Sequence, residues 1–306
     1  MNKYLWVESY APETVADCIL PDNVKKSFEQ YVEDKEFPNL ILAGPAGVGK
    51  TSVAKALCNE IDADLLFINA SLDRGIGEVR TTVAGFASTS SLLGGKKVIL
   101  LDEADNLTGD SQKALRALIE EFQNHCRFIL TCNYPHNLID AIHSRCTVFG
   151  FHINDDDVRK ELSGLFFKRL VGILKENKVK FDMKDLGKFI LAKAPDWRGV
   201  INTVQGNIKD GKLNNLSHES TEQLAEHIAK KEFKLANEWL FKHSQMQPTQ
   251  VQRELYMTLR PKLTDNGIVA ATLAFGKYAT RIHQGADPWI TLMALSTKLM
   301  VDCEFK

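Results

Sequence analysis

The first half of this chain alternates short apolar runs with longer stretches of helical period. Asn39 to Ala43 (N-L-I-L-A) is a brief apolar run ending at a glycine, and Val53 to Ile61 then reads as a helix. Leu65 to Asn69 predicts a second strand and Val79 to Ser90 a second helix. Lys97 to Leu101 (K-V-I-L-L) is strongly apolar and precedes a helical stretch from Ser111 to Asn124. Arg127 to Cys132 and Val148 to Phe151 predict two more strands. Strands that are apolar on both faces and alternate with helices indicate a parallel sheet covered on both sides, an α/β fold.

The period changes after Asp155-Asp156-Asp157. From Val158 to Lys175, apolar residues fall near 162, 165, 166, 170, 173 and 174, which is helical spacing. Asp185 to Lys193 and Trp197 to Ile208 predict two further helices. Asp210 to Asn215 (D-G-K-L-N-N) reads as a loop and a boundary. The remainder again has a helical pattern, broken near Pro248, Pro261, Gly267 and Asp287-Pro288. The expected organisation is a nucleotide-binding α/β domain over 1–155, a helical lid over 156–216 and a second helical domain over 217–306.

Composition narrows the possible functions. The 306 residues carry 38 basic and 39 acidic side chains, but residues 1–150 are net acidic and residues 151–216 net basic. No segment is a strongly basic block, so one copy alone is not expected to bind nucleic acid tightly. Six cysteines show no CxxC spacing and eight histidines form no HExxH, which argues against a zinc site or a disulfide scaffold. No apolar run approaches the roughly 20 residues of a membrane helix, and the first residues lack a leader's apolar core. A soluble cytoplasmic protein is expected, with no membrane partner.

Three segments carry chemistry. Gly44 to Thr51 (G-P-A-G-V-G-K-T) fits G-x-x-x-x-G-K-[ST] in full, between a predicted strand and a predicted helix. Backbone N–H groups of Gly47, Val48, Gly49, Lys50, Thr51 and Ser52 would cradle phosphates at a helix N-terminus. Lys50 would reach the β- and γ-phosphates of ATP, and the Thr51 hydroxyl would ligate Mg²⁺. The second segment, Val98 to Asp105 (V-I-L-L-D-E-A-D), is an apolar strand ending in carboxylates. Asp102 is placed for the Mg²⁺ shell and Glu103 to orient or deprotonate the attacking water. In the third, Phe128 to Asn133 (F-I-L-T-C-N), the strand ends in an amide that could hold the water or the γ-phosphate.

With these residues in view, the chain resembles AAA+ ATPases of the clamp-loader clade, the branch holding the large subunits of T4-type bacteriophage loaders and the small subunits of replication factor C. The likeness covers essentially the whole chain. Trp6 to Pro12 (W-V-E-S-Y-A-P) is similar to the W-V-E-K-Y-R-P box, with Ser9 and Ala11 in place of Lys and Arg. Ser144-Arg145-Cys146 matches the clade's S-R-C triplet, and Ala194 to Arg198 (A-P-D-W-R) matches the start of its sensor-2 helix.

The resemblance implies a P-loop domain followed by a helical lid and a helical collar. It implies that Val7, Glu8, Ser9, Tyr10, Pro12 and Ile19 line the adenine pocket. Arg145 would reach a neighbouring subunit's γ-phosphate, and Arg198 would touch the phosphates of its own subunit. Arg80, then Arg74 and Lys113, would contact DNA phosphates, and Gln112 would couple that contact to Glu103. The implied partners are copies of this chain, four with one different small subunit, together with a sliding clamp and primer–template DNA. Two alternatives stay open: another AAA+ DNA motor, such as a branch-migration helicase or an initiator, and a non-hydrolysing scaffold. A protein-remodelling ATPase would want an aromatic pore loop, and residues 70–78 contain no aromatic.

Overall fold

A computed structural model describes residues 5–70, 76–89, 95–153, 155–214, 221–244, 246 and 248–306. The chain divides into two compact units, Met1–Leu216 and Ser217–Lys306.

The first unit is built on a five-stranded sheet in the order β2-β3-β4-β1-β5. The strands are β1 (Leu40–Ala43), β2 (Asp64–Asn69), β3 (Lys97–Asp102), β4 (Cys126–Cys132) and β5 (Thr147–Gly150). All four pairings are parallel. Successive side chains of a strand point to opposite faces, and here both faces are apolar. Ile41, Ile99, Leu101, Phe128 and Leu130 pack with Leu115, Leu118 and Ile119 of α5 (Gly109–Phe122) and Val83 of α4 (Ile76–Ser88). Leu40, Leu42, Val98, Leu100 and Ile129 pack on the other face with Val53, Ala54 and Leu57 of α3 (Lys50–Glu60) and Val24 and Phe28 of α2 (Asp22–Asp34). Each such side chain, fully buried, stabilises the fold by about 1.5–3 kcal/mol. The two-sided α/β sheet expected from the apolar runs is therefore present.

Helix α2 is not among the elements expected above; its apolar positions are sparse, and only Val24 and Phe28 are buried. β5 also differs from the expected two-sided strand. It is the sheet edge, and Thr147, Val148 and Gly150 are exposed.

The stretch expected to form a lid follows, within the same unit, as α7 (Asp156–Glu176), α8 (Met183–Lys193) and α9 (Trp197–Gly206). Aspartates at 155, 182 and 196 cap the three helices by accepting backbone N–H bonds, each cap contributing about 0.5–2 kcal/mol. Their core includes Leu162, Phe166, Leu170, Leu186, Ile190 and Trp197, with the Phe166 and Trp197 rings stacked at 4.7 Å. The short helix α1 (Trp6–Ser9) buries Trp6 in this same core. The expected loop at 210–215 is instead partly a hairpin. Ile208–Lys209 pairs antiparallel with Lys212–Leu213 around Asp210-Gly211, both at positive φ. Asp-Gly is a favoured two-residue hairpin turn.

The second unit is helical: α10 (Thr221–Ala229), α11 (Phe233–Lys242), α12 (Pro248–Leu259), α13 (Asp265–His283) and α14 (Pro288–Asp302). Leu224, Trp239, Leu240, Leu255, Phe275, Leu292 and Leu299 share its core. Phe241, Leu273, Ile290 and Val301 are exposed. Among the described residues no helix is long and apolar enough to cross a membrane.

Candidate nucleotide site

The loops after β1, β3 and β4 meet at the carboxyl ends of three adjacent strands, the usual place for a ligand in an open α/β sheet. The β1 loop turns through Gly47 and Gly49, both in the left-handed region at φ 81° and 98°. Gly49 is the N-cap of α3, so no side chain occupies the first N–H groups of that helix. The space where a Gly49 side chain would stand holds no atom within 4 Å. Unpaired helix N–H groups facing open space suit an anion, so the cradle fits a triphosphate.

Lys50 is buried and folds back over the loop. Its Nζ donates to the carbonyls of Gly44 at 2.6 Å and Pro45 at 2.8 Å, and to Asn133 Oδ1 at 3.0 Å. Burial pushes the ammonium below the ordinary lysine range; Asp102 and Asp105 oppose that shift, and the Arg198 charge reinforces it. A buried cation held by neutral carbonyls stands to gain from a phosphate. The structure thus brings Lys50, at the start of α3, together with Asn133, just after β4.

Thr51 donates its hydroxyl to Asp102 Oδ1 at 2.6 Å, and Thr131 donates to the same oxygen at 2.7 Å. Among the described residues no group of three or more His, Cys, Asp or Glu could hold a metal ion. Mg²⁺ needs no such group. It keeps several waters and takes one or two carboxylates plus phosphate oxygens, so the hard oxygens of Thr51 and Asp102 fit it.

Glu103 stands at φ 57°, a left-handed backbone for a residue with a Cβ, at a cost of order 1–3 kcal/mol. Bonds to β4 and to Asn106 hold it there. Its N–H donates to Thr131 Oγ1 at 3.0 Å, its carbonyl accepts from the Asn106 N–H at 2.9 Å, and its carboxylate accepts from Asn106 Nδ2 at 3.2 Å. Asp105 Oδ2 accepts the N–H groups of both Asn133 and Tyr134, fastening the β3 loop to the β4 loop. The sequence reading assigned no role to Thr131 or Asp105. Only their placement across two strands reveals one.

The lid closes over the β1 loop. The N–H groups of Trp197 and Arg198 approach the Gly47 carbonyl at 3.1 and 3.4 Å. The Asp196 carboxylate lies where a Gly47 side chain would have to go. A left-handed backbone costs a non-glycine residue about 1–2 kcal/mol, and the clash with Asp196 adds to this. Gly47→Ala is therefore expected to lower the unfolding midpoint by several degrees and, as the loop shifts to relieve the clash, to weaken ATP binding about tenfold or more by calorimetry.

Tyr10 and Ile19 pack into the lid core, while Val48 packs into the α2/α3 core. Val7 and Pro12 are half-buried, Glu8 and Ser9 are exposed, and Ser52 is half-buried in the first turn of α3.

Arg145 stands elsewhere. Its backbone carbonyl accepts from Asn39 Nδ2 at 3.4 Å, at the start of β1, whereas the phosphate loop leaves the end of β1. Asn39 and Gly44 are five residue steps apart along β1, about 16 Å. Its guanidinium donates to Glu120, to the Ala141 carbonyl at 2.6 Å and to Ser144 Oγ at 2.9 Å. This arginine is thus not part of the site its own chain builds.

Gln112 is buried, and its bonds take a different route from the one expected. Nε2 donates to the carbonyls of Leu107 at 3.2 Å and Asn137 at 2.9 Å, and Oε1 accepts from the Ile139 N–H at 2.8 Å. The link runs from the end of the Glu103 loop to the segment leading to Arg145; none of these bonds reaches Glu103 itself. Arg80 is exposed on α4, and Lys113 is exposed and ion-paired to Asp110 at 3.0 Å. Arg74 lies outside the described residues.

Residues 40–152 match the ATPase family associated with various cellular activities (AAA). A replication factor C small subunit of Methanothermobacter thermautotrophicus is 31% identical over 319 residues, spanning 96% of this chain and 97% of the relative. One from Archaeoglobus fulgidus is 38% identical over 218 residues, 69% of this chain and 66% of the relative. The solved structure of the Thermotoga maritima RuvB Holliday junction branch migration motor superposes with a TM-score of 0.51 at 18% identity, over 72% of this chain and 80% of that one. At that identity the likeness speaks for the fold alone. Full-length similarity together with a complete phosphate loop and its facing carboxylates places this chain in the replication factor C small-subunit family of AAA+ ATPases.

Proposed function

We propose that this chain is an ATP-hydrolysing subunit of a DNA sliding-clamp loader. ATP is held by the β1 loop, Lys50 and the lid residue Arg198, with its base against Val7, Glu8, Ser9, Tyr10, Pro12 and Ile19. Thr51 and Asp102 would hold Mg²⁺, which would neutralise phosphate charge when bound. Glu103 takes the proton of the attacking water, and Asn133 orients the γ-phosphate or that water. Arg145 completes the site of the adjacent copy.

The observation that carries this reading is the position of Arg145, about 16 Å of strand from its own phosphate loop. A chain with a full set of phosphate ligands and a triplet arginine facing away is built to share its sites with neighbours. The apolar side chains exposed on the second unit support assembly through that unit. Four copies with one different small subunit form the loader. ATP binding opens and holds the clamp, and primer–template DNA, met by Arg80, Arg74 and Lys113 of several copies, triggers hydrolysis and release. Phosphates neutralised together by several copies make the DNA affinity steeply salt-dependent.

The deciding experiment is steady-state ATP hydrolysis by the purified assembly, with and without primer–template DNA and clamp. Synergistic stimulation by both supports the proposal. Clamp-independent activity on branched DNA would instead identify a DNA motor, and ATP binding without hydrolysis a scaffold. Gln112 adds a second expectation. Coupling energies between sites run to about 1–3 kcal/mol, or 5–150-fold. Gln112→Ala is accordingly expected to lose most of the DNA stimulation while keeping the DNA-free rate, and full stimulation in that variant would remove Gln112 from the coupling route.

A further inference from the structure

The N-terminal segment from Trp6 to Ile19 forms a strap held from two sides. On one side, Val15 N–H donates to Glu60 Oε2 at 2.5 Å, and Asn59 Nδ2 donates to the Glu13 carbonyl at 3.1 Å. These partners are the last two residues of α3, the helix that begins at the phosphate loop. On the other side are three lid residues. Arg169 of α7 donates from Nη1 to the Asp17 carbonyl at 2.6 Å and from Nη2 to the Tyr10 carbonyl at 2.8 Å. Asn177 Nδ2 donates to the Tyr10 hydroxyl at 2.7 Å, and Gln205 Oε1 accepts from the Trp6 N–H at 3.0 Å. The packing is divided in the same way. Val15 and Cys18 lie in the core that contains Val48, and Trp6, Tyr10 and Ile19 in the core that contains Trp197.

Arg169 is the group that closes the strap on itself. One guanidinium reaches two carbonyls seven residues apart, which a single ammonium cannot do with the same planar fork. We propose that Arg169 is a positioning residue for nucleoside recognition: it fixes the base-binding wall, residues 7–19, to lid helix α7, and the triphosphate cradle does not depend on it. This rests on the reading of the site as an ATP site. The strap is then the part of that site tied to α7, whereas the contacts to the phosphate loop come from Asp196, Trp197 and Arg198 at the start of α9 and do not involve Arg169.

The test uses the full chain and two probes, ATP and inorganic tripolyphosphate, with dissociation constants from calorimetry or competition. Arg169→Met is expected to weaken ATP about tenfold, the scale of one charge-assisted hydrogen bond, and to leave tripolyphosphate within about twofold of the parent. Arg169→Lys, which can still reach one carbonyl, is expected to fall between and keeps the test informative if the methionine variant does not fold. Equal weakening of both probes, or no change in either, overturns the proposal. Lys50→Ala separates this from failure of the site reading. Loss of both probes upholds the phosphate site, whereas unchanged ATP binding there removes the ATP site and the role of Arg169 with it.

Discussion

Arg145→Ala is expected to bind ATP like the parent chain and to lose stimulated hydrolysis in the assembly by about 10³–10⁵-fold, the range supplied by a trans-acting arginine in phosphoryl transfer. Binding is retained because Arg145 sits at the start of β1 and the phosphate loop leaves its other end. The side chain is held by Glu120, Ala141 and Ser144, with the Arg145 and Glu120 side chains 32% and 43% exposed. An exposed ion pair contributes only about 0–1 kcal/mol. A charge-assisted contact to phosphate in a closed interface is stronger, so exchanging Glu120 for a neighbour's γ-phosphate is energetically accessible. Mixing gives the sharper measurement. Assemblies of Arg145→Ala chains alone and of Lys50→Ala chains alone should both be inactive. Mixed assemblies should regain hydrolysis wherever a Lys50→Ala chain presents its arginine to an intact phosphate loop. Hydrolysis at the parent rate by Arg145→Ala would refute the trans role.

Glu103→Gln is expected to hold ATP within about twofold of the parent affinity while hydrolysis falls by about 10²–10⁴-fold, the contribution typical of a positioned general base. The amide keeps the shape of the side chain. The left-handed backbone at φ 57° is set by the bonds to Thr131 and Asn106 and not by the carboxylate's charge. What the variant loses is the ability to accept a proton. Single-turnover hydrolysis beside equilibrium binding separates the two effects, and an undiminished single-turnover rate would assign the base elsewhere. Thr131→Val offers a contrast, because it removes the hydroxyl that both accepts from Glu103 N–H and donates to Asp102.

How far each part of the site was legible depended on its range along the chain. The phosphate loop was readable because its requirements are local: glycines at fixed offsets, a lysine and a hydroxyl, between a strand and a helix. The Asp102–Glu103 pair was readable for the same reason, as carboxylates at the end of a buried strand. Arg145 and Arg198 stood out only through the resemblance, since a single arginine at a helix end has no distinguishing spacing. Thr131, Asp105 and Arg169 left no signal. A threonine inside a β-strand, an aspartate in a turn and an arginine on an amphipathic helix are each ordinary where they stand.

The fold divides in a similar way. Strands β1, β3 and β4 were legible because they are buried on both faces and therefore uniformly apolar. Helix α2 was not: its apolar residues Val24, Phe28, Tyr31 and Val32 fall at helical spacing but are few in a largely polar run. The exposure of β5 was likewise hidden, because residues of edge and central strands differ only in what lies beside them.

By itself, the sequence determined the α/β class, the phosphate-loop motif and the carboxylates that end β3, and the helical character of the second half. Those properties depend on periodicity and on residues close together along the chain. The tertiary structure alone decided which residues meet across the sheet. It brought Lys50 to Asn133, Thr51 to Asp102 and Gln112 to Ile139, and it put Arg145 at the opposite end of β1 from the phosphate loop. Strand order set those distances, and strand order depends on pairings between segments dozens of residues apart, which no local pattern encodes.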